Sequence, residues 1–169
     1  MERVILLLGG NIGDVELRMK RAVEMIEERV GVVTKRSAMV KSEPWGFKEV
    51  VAPFTNQAIE VETLLTPEEL LDVTQKIERE SGRDREEERE EKVRRGEKYA
   101  SRKIDIDIIF YGDITYKSER LELPHPLMQE RDFVLSPIVQ IAPEWIHPTL
   151  KRGCKELLEE LKNRDICRK

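Results

Sequence analysis

The chain has 169 residues, the size of one ordinary domain, with 39% hydrophobic residues, 38% charged residues and a net charge of -4. So mild an acidity gives no basic footprint for nucleic acid, and no apolar run approaches the roughly 20 residues of a membrane span. Met1-Glu2-Arg3 leads straight into a short apolar run with no signal-peptide pattern, and the two cysteines, Cys154 and Cys167, fit neither a compact zinc site nor a disulfide framework. Free thiols in a reducing cytoplasm are therefore expected.

In chain order, the apolar run over residues 4–8 stops at Gly9-Gly10 and reads as a buried strand. Gly9-Gly10-Asn11-Ile12-Gly13 reads as a turn and Asp14 as a helix N-cap. A helix over 15–30 follows, with Leu17, Val23, Met25, Ile26 and Val30 on its apolar face. Residues 32–40 are expected as a second strand, 42–47 as a Pro/Gly loop with two aromatics, and 54–64 as a third strand. Thr66-Pro67-Glu68-Glu69 is a strong helix start: a cap, proline at the first helical position, and acids at the positive end of the dipole. Leu70, Leu71, Val73, Thr74 and Ile77 form that helix's apolar face, to about Ser81-Gly82.

Residues 83–98 are charged except at Val93 and Gly96, with seven basic and seven acidic side chains, and read as a solvated segment or mobile lid around 83–101. Residues 104–111 are the clearest strand in the chain. Residues 114–116 and 121–123 suggest a small added hairpin, Pro124-His125-Pro126 an extended elbow, 131–141 a short helix and 154–161 a last amphipathic helix. The order strand, helix, strand, strand, helix, strand predicts a single α+β domain with a ferredoxin-like antiparallel sandwich.

Asp105 and Asp107 lead the chemistry. Residues i and i+2 of a strand share a face, so both carboxylates point one way while Ile104, Ile106 and Ile108 point the other. Like charges so placed want a cation, and magnesium held between carboxylates and phosphates is the obvious one; a polar outer sheet face is the alternative. Arg83, Arg85, Arg102, Lys103, Arg120 and Arg131 flank this pair, suiting a triphosphate, though surface pairing with glutamates is equally open to several of them. The glycine turn matches neither Walker A nor the dinucleotide fingerprint. His125, held between prolines, could donate to phosphate; His147, also before a proline, is expected to have no chemical part. Trp45, Phe47, Phe54, Tyr99 and Phe133 could sandwich a planar heterocycle whose edge Asn56 reads, or simply pack.

Together these residues resemble the 6-hydroxymethyl-7,8-dihydropterin pyrophosphokinase family. The likeness rests on Arg102-Lys103-Ile104-Asp105-Ile106-Asp107-Ile108, matching R-x-[IL]-D-[IL]-D-[IL]. It extends through Leu123-Pro124-His125-Pro126, Met128, Arg131, Phe133, Val134, Leu135 and Pro137 to Ile141-Ala142-Pro143, and includes Leu8-Gly9-Gly10-Asn11-Ile12-Gly13-Asp14 near the start. Three departures stand out. Gly10 replaces the family's serine, Tyr99-Ala100-Ser101 stands where many members have Trp-Gly-Pro, and the charged segment is longer than in compact members.

The resemblance implies transfer of pyrophosphate from ATP to the pterin, giving AMP, in folate synthesis. It implies two magnesium ions on Asp105 and Asp107, and catalytic parts for Arg85, Arg102, Asp105, Asp107 and His125. It implies that Gln75, Glu78, Arg85, Arg102, Ile108, Arg120, His125 and Arg131 meet ATP, and that Ser42, Glu43, Pro44, Trp45, Phe54, Asn56, Tyr99 and Phe133 meet the pterin. A cytoplasmic monomer working on small molecules, without nucleic acid or membrane, is expected. Two rivals are a metabolite-binding regulatory module and an RNA-recognition-like domain. Neither accounts for two strand aspartates ringed by arginines.

Overall fold

The computed structural model describes residues 1–42, 53–82, 90, 93 and 103–167, with no side-chain account of 165–167. The described elements are β1 (Glu2–Gly10), α1 (Val15–Arg29), β2 (Gly31–Arg36), β3 (Val40–Ser42), β4 (Phe54–Thr63), α2 (Pro67–Glu80), β5 (Asp105–Tyr111), β6 (Tyr116–Lys117), β7 (Glu122–Leu123), a 3-10 turn (Met128–Glu130), α3 (Asp132–Ile141) and α4 (Cys154–Cys167). The main sheet runs β2-β4-β1-β5, all antiparallel, with β3 continuing the β2 side of β4. That is the ferredoxin-like order expected from the sequence, and β6 and β7 form the small added hairpin.

Each face of the sheet has its own core. Val4, Leu6, Leu8, Ile59, Val61, Ile104, Ile106 and Ile108 pack under α1 and α2. Ile5, Leu7, Ala58, Ile109 and Phe110 pack under α3 and α4. The alternation in β1 and β4 follows from the period of two in a strand buried on both sides.

Several boundaries shift for physical reasons. β1 runs through Gly9 and Gly10, which the sequence suggested as a turn, because both pair with β4. Leu17 is 43% exposed: the buried stripe of α1 is Met19, Ala22, Val23 and Ile26, and a residue two before Met19 lies about 200° around the helix. The expected single strand over 32–40 is two strands. Ser37 interrupts it, donating its N–H to Ala58 and accepting the Ala58 N–H on its Oγ.

In β5 a register shift opposite Ile5 and Leu6 breaks strict alternation, so Ile109 and Phe110 both join the second core and Tyr111 returns to the first. The α2 cap is as expected, Thr66 and Glu69 exchanging side-chain-to-backbone bonds. α4 is longer than the sequence suggested and carries Cys154 and Cys167 at its two ends, about 20 Å apart at 1.5 Å per residue, so a disulfide between them is out of reach. No helix among the described residues is long and apolar enough to cross a membrane.

Candidate active site

Register assembles the site. Val40, Asn56, Gly9 and Asp105 are successive partners across β3, β4, β1 and β5, and Ala58, Leu7 and Asp107 form the next row. Directly opposed residues share a face, so Asn56, Asp105 and Asp107 stand together on the α3 side of the sheet. Ser42 opposes Phe54 one step further along that face. Residues remote in the chain thus meet at one end of the sheet: Ser42, Phe54 and Asn56 from one flank, Asp105 and Asp107 from the other.

Asn56 is 6% exposed, and among the described residues its Nδ2 is buried with no hydrogen-bond partner. A buried amide nitrogen without an acceptor costs about 1–3 kcal/mol, so a ligand acceptor placed there would be well rewarded. The neighbouring Gly9 makes the seat. A Cβ there would lie well under 3.0 Å from Asn56 Oδ1.

Asp105 and Asp107 are half-buried and Ile104, Ile106 and Ile108 fill the other face, as the alternation required. Among the described residues no three His, Cys, Asp or Glu are grouped to hold a metal. Two carboxylates on one face do not suit a closed zinc site and would suit magnesium, which completes its sphere with water and phosphate.

His125 sits on the elbow after the cis Leu123–Pro124 peptide, its backbone N–H donating to Ile109 O at 3.0 Å. Burial lowers its pKa and the Arg131 charge lowers it further, while Asp105 and Glu122 push the other way. His125 therefore lies within the fields of both an expected metal ligand and an expected phosphate ligand. Arg131 stands 5.8 Å from the centre of the Phe133 ring, and Phe133 packs at the edge of the second core. A cavity of about 410 Å³ opens beside His125, lined also by Tyr116, Lys117, Gln129 and His147. A larger one, about 640 Å³, lies at the opposite end of the sheet around Arg3, Lys35 and Trp145, away from both aspartates.

The remaining expected residues fall into three groups. Gln75 and Arg120 do meet: Arg120 joins the β6–β7 hairpin to α2 through Asp72 at 2.6 Å and Gln75 at 3.4 Å. Glu78 and Ile108 are buried; the Ile108 side chain is core, and Glu78 accepts the Ile106 N–H at 2.9 Å. Glu43, Pro44, Trp45, Arg85, Tyr99, Arg102 and nearly all of the expected lid lie outside the described residues.

His147 anchors a turn, its Nδ1 accepting the Thr149 and Leu150 N–H groups. The sequence reading passed over Arg18. Its guanidinium donates to Ile12 O at 2.6 Å and Lys103 O at 3.1 Å, tying the glycine loop to the entry of β5. An arginine on the polar side of an amphipathic helix carries no local signal of such a task.

A family model for 7,8-dihydro-6-hydroxymethylpterin-pyrophosphokinase (HPPK) matches residues 5–143. The chain is 41% identical over 149 residues to the 2-amino-4-hydroxy-6-hydroxymethyldihydropteridine pyrophosphokinase of Porphyromonas gingivalis, covering 88% of this chain and 95% of that protein. It is 36% identical over 167 residues to the enzyme of the same name from Aquifex aeolicus, covering 99% and 97%. Among solved structures, wild-type Plasmodium falciparum HPPK-DHPS superposes with a TM-score of 0.74 over 96% of this chain and 45% of that longer one; at 15% identity the likeness is one of fold.

Proposed function

The chain belongs to the 7,8-dihydro-6-hydroxymethylpterin-pyrophosphokinase family, an enzyme that moves pyrophosphate from ATP to 6-hydroxymethyl-7,8-dihydropterin in folate synthesis, and we propose that it does so at the row formed by Asn56, Gly9 and Asp105. The observation that carries this placement is the buried Asn56 Nδ2, without a hydrogen-bond partner among the described residues, on the same sheet face as the two aspartates.

In this reading Asn56 Nδ2 donates to the pterin edge, Ser42 and Phe54 line the pterin side, and Phe133 covers the ring. Asp105 and Asp107 would hold two magnesium ions, which when bound supply neutralising charge to the phosphates. Arg131 and His125 stand where phosphate charge would gather, and Gln75 and Arg120 hold the nucleotide from the α2 side. The pterin hydroxymethyl oxygen attacks the β-phosphorus, the bond from that phosphorus to the α–β bridging oxygen breaks, and AMP leaves with the electron pair. The hydroxyl proton passes to Asp107 or solvent. Alignment and charge balance supply most of the rate for such a step. The parts that the resemblance gives to Glu43, Pro44, Trp45, Arg85, Tyr99 and Arg102 belong to the same proposal, as do a single-domain monomer and a cytoplasmic site of action.

The test is AMP formation from ATP, magnesium and 6-hydroxymethyl-7,8-dihydropterin, with controls lacking pterin or metal. AMP only when all three are present is the expected result. Tight binding of both substrates without AMP would sink the assignment of chemistry to this site.

A further inference from the structure

We infer that Glu78 is a positioning residue which sets the two aspartates by gripping the peptide between them, rather than by touching the nucleotide. The inference rests on the metal-binding role proposed above for Asp105 and Asp107. Among the described residues β5 is an edge strand, with β1 on one side only. In an antiparallel ladder, successive residues turn their amides alternately toward the partner strand and away from it. Asp105 and Asp107 oppose Gly9 and Leu7 of β1, and Ile106 lies between them. Its N–H points outward to Glu78, whose Oε2 accepts it at 2.9 Å in a buried setting.

Glu78 is 2% exposed, on the last turn of α2, and α2 packs on the opposite face of the sheet from the aspartates. A charged acceptor on a backbone amide is among the stronger neutral-donor bonds, and in a buried place neither partner can turn to water instead. Side chains on residues 105 and 107 are aimed by the backbone on either side of 106. Whatever fixes the Ile106 peptide therefore fixes the angle between the two carboxylates. Such supporting groups around metal sites commonly control about 10–100-fold in metal affinity or activity.

The experiment compares Glu78→Gln, which keeps an acceptor oxygen, with Glu78→Leu, which keeps the bulk and removes it. Three readouts are taken: hydrogen exchange at the Ile106 amide in the substrate-free protein, the magnesium concentration giving half-maximal AMP formation, and the pterin Kd. In Glu78→Leu, Ile106 protection should fall and the magnesium requirement should rise about tenfold or more, with pterin Kd little changed. In Glu78→Gln all three should stay close to wild type. If Glu78→Leu does not fold, Glu78→Asp, one methylene short, should show the same direction with a smaller size.

Ile106 protection lost with an unchanged magnesium requirement would overturn the inference. So would a Glu78→Gln enzyme as impaired as Glu78→Leu with Ile106 still protected, because the charge would then be acting on the nucleotide directly. Absence of AMP formation in the wild type would instead count against the proposed function, while the exchange readout would still report the Glu78–Ile106 bond.

Discussion

Asn56 Oδ1 occupies the space that a Cβ on Gly9 would need, so the side chain of one strand lies over the bare backbone of the next. Replacing Gly9 by Ala must displace that amide, because a Cβ under 3.0 Å from a neighbour is not tolerated and the other close atoms are Asn56 Cγ and the Thr55 backbone oxygen. Gly9→Ala should weaken pterin binding by about tenfold or more, the order of one lost hydrogen bond to a fixed amide. ATP-analogue affinity should change little. Calorimetric titration of each ligand against the folded variant checks the split.

Removing either aspartate should separate activity from stability. Asp105 and Asp107 share a sheet face and are half-buried, outside the packed core that Ile104, Ile106 and Ile108 form on the other face. Asp105→Ala should lower turnover by orders of magnitude while the fold stays intact. AMP assays paired with thermal denaturation would reveal this, and near-normal turnover would argue against the metal assignment.

The chain has only two histidines, so their titrations can be assigned by NMR. Both have pKa values below the ordinary 6.5, burial being the first cause in each. For His147 the neutral ring is also needed geometrically, since its Nδ1 accepts two backbone N–H groups. A depressed folded-state pKa means the unfolded chain takes up protons first as pH falls. The stabilisation is therefore fully present above pH 6.5 and is lost as pH drops through the folded-state values. His147→Asn should flatten that acid slope, as read from denaturant midpoints across pH.

Arg120 is joined to Asp72 at 2.6 Å, both exposed to solvent, and to the half-buried Glu68 at 3.5 Å. Such surface pairs contribute little to stability. Asp72→Asn should leave the thermal midpoint nearly unchanged but lower the KM for ATP, because a guanidinium proposed to hold the nucleotide is released from a competing carboxylate. A KM that does not move would remove Arg120 from the nucleotide site.

Cys154 is buried and its thiol is pushed up to about 12 by desolvation. Thiol reagents act on the thiolate. Cys154 should resist them in the native protein at neutral pH and react only on unfolding, which a labelling time course with peptide mapping would resolve.

Much of this protein could be read locally. The alternation around Asp105 and Asp107 requires both carboxylates on one face wherever the strand goes, and Thr66 with Glu69 starts α2 without help from the rest of the chain. The order of elements was enough for the ferredoxin-like sheet, because each strand and helix carries its own period. Registry is another matter. That Asn56, Gly9 and Asp105 stand in one row depends on hydrogen bonds between strands remote in sequence, and a slip of one residue would turn any of them to the other face.

The burial of the Asn56 amide, the Arg18 tie to Ile12 and Lys103, and the grip of Glu78 on Ile106 exist only once those strands and helices have docked. Local periodicity determined which residues could share a face. Long-range pairing, which carries no signature in any short window of sequence, decided which of them meet.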